Sequence, residues 1–268
     1  MLILLSPAKK MKEGRTTALP TSAPRLHADT DELVAVSERL STAHLKSLMK
    51  LSDALAELNT MRYTDFHSQA EHPAALLYDG DTYWGLNAAS LDDDAMTYAN
   101  DRVRILSGLY GALRPLDRIR PHRLEMGTRL QTPRGANLYQ FWGTRIADSI
   151  RDDLEPFEDR SILNLASHEY FKSVDRSALD RPVITAKFLQ IKNGEPRNLG
   201  LFAKRARGQL ARFMIDNRAD RVSAARDFDY DGYRLDPAQS TDTDYVFTRA
   251  QPDPVTPDPV TKATKPTP

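Results

Sequence analysis

The 268-residue chain contains no cysteine, which excludes disulfides, thiolate chemistry, cysteine-ligated zinc and iron–sulfur clusters. It also has no apolar run near the ~20 residues that a bilayer-spanning helix needs. The opening MLILLS is short and lacks both a basic leader and a small-residue cleavage site. No membrane association is expected, and the simplest address is the cytoplasm. Histidine is scarce: His27, His44, His67, His72, His122 and His168 show no metal-ligand spacing. The run Asp227-x-Asp229-x-Asp231-Gly232 imitates half of a calcium loop, but Ala238 stands where the bidentate acid belongs. Neither a metal nor a cofactor is expected. The chain carries no excess charge of either sign, with 37 basic and 37 acidic residues, so it is not a generic polycation. Walker loops, Ser-His-Asp patterns and internal repeats are absent too, apart from a PDPVT doublet near the end.

An apolar content of 40% and a charged content of 28% fit a globular protein. Leu2–Leu5 reads as a buried strand that delivers Ser6-Pro7-Ala8-Lys9 into a loop. Helical spacing covers Asp31–Leu40, Ser41–Leu58, Asp92–Asp101, Leu138–Ile150 and Leu199–Asn217. Ala74–Tyr78, Ile162–Ala166, Val183–Phe188, Tyr233–Leu235 and Tyr245–Thr248 read as strands, and Val103–Leu106 fits either state. Strands alternating with helices predict an α/β protein with a mixed β-sheet covered by helices. One compact domain spans 1–250, and a Pro/Thr-rich tail over 251–268 has too little apolar content to pack and is read as disordered.

Three blocks carry chemistry. In Leu106–Leu130, LSGLYGALRPLDRIRPHRLEMGTRL, two glycines bracket Leu109-Tyr110, and Arg114, Arg118, Arg120 and Arg123 follow. Glycines let successive backbone N–H groups approach an anion closely. The turn around Gly108, Tyr110 and Gly111 therefore reads as a phosphate contact with Arg114, Arg118 and Arg123 beside it. It resembles the hairpin of helix-hairpin-helix modules, placed around residues 101–120; the other reading is plain helix–helix punctuation. In Asn164–Val174, NLASHEYFKSV, a strand end presents Asn164, Ser167, Glu169 and Lys172, and strand ends are where open α/β sheets bind ligands. Glu169, Lys172 and Lys9 are the candidates for catalysis, Glu169 as base and the lysines as phosphate partners; a polar network fixing a sheet edge is the alternative. In Phe202–Ile215, FAKRARGQLARFMI, Phe202, Ala206, Leu210 and Phe213 form one apolar stripe. Lys204, Arg205, Arg207 and Arg212 lie on the remaining arc. Gly208 in mid-helix costs about 1 kcal/mol relative to Ala, which points to close approach of a backbone or ligand.

These blocks, with MLILLSPAKKM, LYQFWG (Leu138–Gly143) and DGY (Asp231–Tyr233), stand in an order and spacing that resembles the YaaA family of peroxide stress-resistance proteins. The resemblance runs from Met1 to about Arg249, and KRARG matches a family motif nearly as it stands. His122 departs from it, since tyrosine is the expected residue there, which makes His122 a poor candidate for an essential proton carrier. The resemblance implies protection of DNA during hydrogen peroxide stress, linked to limiting free iron. Two readings of function follow. The first is a DNA-binding protein that holds phosphates in a basic cleft through Gly108, Tyr110, Gly111, Arg114, Arg118, Arg123, Asn164, Ser167, Lys204, Arg205 and Arg207. The second is an enzyme acting on a nucleotide, nucleobase or damaged DNA around Asn164–Lys172. The partner implied is double-stranded DNA, with RNA left open, and a monomer is the expected state.

Overall fold

The four residues of strand β1, Leu2–Leu5, are completely buried, because β1 lies in the middle of a sheet covered on both faces. The computed structural model describes residues 1–251, and the composition-based reading of the tail concerns residues beyond that point. The other sheet strands are β2 (Val103–Ser107), β3 (Gly111–Leu113), β4 (Ile162–Asn164), β5 (Val183–Lys192), β6 (Glu195–Arg197), β7 (Arg234–Leu235) and β8 (Asp244–Ala250). They pair in the order β7-β8-β5-β4-β1-β2-β3, with β6 alongside β5. The five central strands, β8-β5-β4-β1-β2, run parallel, and β3, β6 and β7 are antiparallel additions. This is the mixed α/β sheet that the alternation of elements predicts.

The order of the strands creates a reversal at β1. The chain leaves β1 for β2 on one side, and β4 then inserts on the other side and leads on to β5. Loops that leave two adjacent parallel strands in opposite directions open a crevice at their carboxyl ends. Here those loops are Ser6–Lys9 and Leu165–His168.

The main helices are α1 (His27–Glu38), α2 (Thr42–Met49), α3 (Asp53–Thr64), α4 (Asp81–Leu86), α5 (Asp93–Arg102), α6 (Arg145–Leu154) and α7 (Gly200–Asp216). The single helix expected over Ser41–Leu58 is two. Lys50 takes a left-handed conformation, and Ser52 caps a fresh start by accepting the Leu55 N–H. The helix expected over Leu138–Ile150 is likewise interrupted, at Gly143 with φ 50°. Ala74–Leu77 is a helical turn, not a strand. Only Tyr78–Asp79 pairs, antiparallel to Lys10–Met11.

The helix-hairpin-helix expected around 101–120 is replaced by a β-hairpin. Helix α5 ends at Arg102, and Val103, Arg104 and Ile105 pair with Ile3, Leu4 and Leu5 of β1. After the Gly108–Tyr110 turn the chain returns as β3, Gly111 adopting φ 72°. Burial of Val103, Ile105 and Leu106 against the sheet decides the ambiguity of that apolar run in favour of strand.

Gly208 answers to a backbone. A Cβ there would sit 1.8 Å from the Thr82 carbonyl oxygen, and one at Gly85 would sit 2.2 Å from the Arg205 carbonyl oxygen. Helices α4 and α7 thus cross with their main chains in contact, each supplying a glycine. Gly208→Ala gains about 1 kcal/mol of helix propensity, but forcing a methyl into filled space costs about 1–3 kcal/mol and here meets an immovable carbonyl. With a backbone atom only 1.8 Å away the cost falls at the top of that range, so the expected net is a loss of about 2 kcal/mol, read in thermal denaturation as a fall of roughly 5 °C; an unchanged or raised midpoint would refute the contact.

Candidate ligand pocket at the switch between two parallel strands

The crevice between the ends of β1 and β4 is closed at its floor by two serines. Ser6 Oγ accepts the Ser167 N–H at 2.8 Å and lies 3.3 Å from Ser167 Oγ. The buried Tyr83 hydroxyl donates to the Ser6 carbonyl at 3.1 Å. Above this floor opens a cavity of about 350 Å³. The loop after β1 lines it with Lys9 and Lys10, and Asp79–Thr82 and Trp84 at the start of α4 form a wall. Helix α7 contributes Lys204 and Arg207, and Glu125, Glu169 and Tyr170 complete the rim. The crossing of α4 and α7 is what brings these walls together.

The charges in the pocket are not equivalent. Glu125 takes Lys9 at 3.2 Å and Arg123 at 2.6 Å. Glu169 accepts the Gly127 N–H at 2.9 Å, and its carbonyl accepts the Tyr139 hydroxyl. Arg207 differs: its Nε is buried with no hydrogen-bond partner. Burial lowers its pKa, and no carboxylate opposes that effect. Lys204 and Arg205 are exposed and, among the described residues, enter no ion pair. Burying a cation without an acceptor is costly, and Arg207 is a half-buried guanidinium at the cavity wall that carries that cost with no carboxylate against it.

Of the residues singled out from the sequence, the pocket gathers Lys9, Ser167, Glu169, Lys204 and Arg207. Arg205 lies on the outer face of α7, its carbonyl against Gly85. Asn164 sits beneath the site: its amide donates to Thr185 Oγ1, and its oxygen accepts the Ala166 N–H. Lys172 stacks over the Tyr139 ring, 5.1 Å from its centroid. The Gly108–Gly111 turn is buried. Its N–H groups at Leu109 and Tyr110 point to Ser107 Oγ, the Gly108 carbonyl accepts from Trp142, and the Tyr110 hydroxyl accepts the Arg120 N–H. A buried turn with its polar groups taken up does not offer them to a phosphate. The arginines after it are engaged as well, Arg118 with Glu71, Arg123 with Glu125 and Arg114 with Asp153.

Asp153 holds three arginines: Arg25 at 2.5 Å, Arg104 at 2.7 Å and Arg114 at 3.4 Å. Arg104 sits inside central strand β2 and is only 3% exposed. Burial alone would raise the Asp153 pKa; the guanidiniums outweigh it and hold the carboxyl below its usual range.

The sequence reading missed the Asp79–Trp84 wall. Its one signal was Asp-Gly-Asp-Thr running into Tyr-Trp-Gly, a turn followed by aromatic residues and a second glycine.

A family model described as peroxide stress protein YaaA matches residues 1–239. Curated relatives called UPF0246 proteins align over nearly the whole chain. One from Caulobacter vibrioides is 50% identical over 255 residues, covering 94% of this chain and all of the relative. One from Phenylobacterium zucineum is 47% identical, covering 95% and 97%. One from Cereibacter sphaeroides is 49% identical, covering 93% and 100%.

Two stability outcomes follow. Asp153→Asn leaves Arg104 buried and short of its counter-ion, and should cost about 3–5 kcal/mol in chemical denaturation; a loss below 1 kcal/mol would mean the cluster is solvated. Next to the pocket, His122 is 4% exposed, and its Nδ1–H donates to the Arg120 carbonyl. Burial pushes its pKa down to about 4, with the Arg120 bond opposing and Arg62 assisting. Between about pH 6.5 and 4 the unfolded chain binds a proton that the folded one refuses. Stability should therefore fall on acidification through that window, by about 3 kcal/mol in all. His122→Gln should flatten this part of the pH–stability curve; an unaltered slope would assign it to other groups.

Proposed function

The chain belongs to the family of the peroxide stress protein YaaA, and on that premise we propose that it serves the peroxide response by binding DNA through backbone phosphates. The contact is carried by Arg207 and Lys204 on α7 and Lys10 on the opposite rim, with Arg205 beside them on the outer face of the helix. One observation carries this reading. The arginines that follow the Gly108–Gly111 turn are paired with carboxylates, whereas the cations of α7 at the pocket are not. Free cations bordering a concave site suit a polyanion. Residence on DNA would limit iron-dependent oxidative damage there.

Phosphate contacts carry no base information, so binding should be insensitive to sequence and weaken steeply with salt. The expected result for a labelled duplex in fluorescence anisotropy is affinity that falls linearly on a log–log salt plot. In the Arg205→Ala/Arg207→Ala protein that slope should be shallower by about 2 units, roughly one for each lost contact. Absence of binding at low salt would end the DNA reading. The second reading, an enzyme acting on a nucleotide or nucleobase, draws on Glu169 at the pocket rim. Glu169→Gln separates the two. A phosphate binder keeps or slightly gains affinity, whereas an enzyme keeps binding and loses turnover.

A further inference from the structure

We infer that the pocket between β1, β4, α4 and α7 seats a single nucleotide, with its phosphate on Arg207 and Lys204 and its base against the indole of Trp84. This rests on the phosphate reading of Arg207 and adds what else enters with the phosphate.

Trp84 carries the added part. Five large apolar side chains are exposed among the described residues, and Trp84, at 54%, is the one aromatic. It stands at a cavity wall and is not loose there, because its indole N–H donates to Asp79 Oδ1 at 3.1 Å. That carboxylate is itself 3.8 Å from Arg15. An anchored indole with an open face is a stacking platform, and such platforms accept any base because every base has a π-face.

The remaining lining answers to the rest of a nucleotide. A ligand that was phosphate alone would be poorly served by carboxylates, yet Asp79 and Asp81 line the wall next to Trp84. They supply acceptors for sugar hydroxyls or base amino groups, and Ser6, Thr82 and Ser167 supply hydroxyls. The planar guanidinium of Arg207 matches two phosphate oxygens at once. A volume of about 350 Å³ falls at the small-ligand end of the pocket range. It admits one nucleotide, not a length of duplex.

The test is calorimetric titration of the full chain with AMP, GMP, CMP and UMP, against ribose 5-phosphate and inorganic phosphate as ring-free controls. At least one mononucleotide should bind tenfold or more tighter than ribose 5-phosphate. Trp84→Ala should erase that difference, Trp84→Phe should restore most of it, and Arg207→Ala should abolish binding of all phosphate compounds. Melting curves establish that each variant is folded. Ribose 5-phosphate binding as tightly as every nucleotide, or a ring preference that survives Trp84→Ala, overturns the inference. Anisotropy with duplex DNA on the same samples keeps the two ideas apart. A bound duplex without ring preference refutes the nucleotide seat alone, and no binding of duplex or of any phosphate compound refutes the phosphate reading beneath it. Nucleotides bound without duplex uphold the seat and refute the DNA reading. Competition by a single-stranded oligonucleotide, or its failure, tells a nucleotide within a strand from a free one.

Discussion

The main-chain contact between α4 and α7 is the constraint on which the site depends. Gly85 and Gly208 each leave room for a carbonyl of the other helix, so the two axes approach more closely than side chains would permit. That approach sets the Lys204–Arg207 turn of α7 against the ends of β1 and β4, and presents Asp79–Trp84 beside it. Any residue larger than glycine at the crossing would lever α7 away from the sheet and widen the pocket. The weak helix propensity of Gly208 is therefore tied to the geometry of the site.

A second principle is the distribution of charge. The chain has many arginines, and most of those near the β2–β3 hairpin are held by acids in the folded state. Asp153 gathers Arg25, Arg104 and Arg114, Glu71 takes Arg118 and Arg120, and Glu125 takes Arg123 and Lys9. Such pairs fix loops and a buried strand cation; they leave little charge for a ligand. Of the cations that line the pocket, Lys10, Lys204 and Arg207 enter no ion pair among the described residues.

Much of the framework is legible in the sequence. Leu2–Leu5 has the unbroken apolar run of a central strand, and α7 begins and ends within a residue of where its spacing places it. The helices expected from Ser41 and Asp92 start one residue later, with those side chains as their caps. Less legible were interruptions that hydrophobic period does not register, such as the left-handed Lys50 and the turn at Gly143. The buried face of α7 is wider than the stripe Phe202, Ala206, Leu210 and Phe213. Of that stripe Ala206 and Leu210 are buried and Phe202 and Phe213 half-buried; the helix packs on α4 as well as on the sheet, so Ala203, Gly208, Ala211, Met214 and Ile215 are buried and Arg207 is drawn half inside.

The Gly108–Gly111 turn shows where local pattern fails. A glycine pair among arginines has one appearance whether its amides face a ligand or a neighbouring serine, and only the packing of Trp142 and Leu124 around it settles which. By itself, the sequence determined the α/β class, the strand ends that carry polar residues, the basic character of α7 and the family. Tertiary structure decided which cations are free, that Trp84 borders the same cavity as Arg207, and that the hairpin is closed. The reason is physical. Secondary structure and burial periodicity follow from neighbours along the chain, whereas the availability of a charge depends on partners brought to it by the fold.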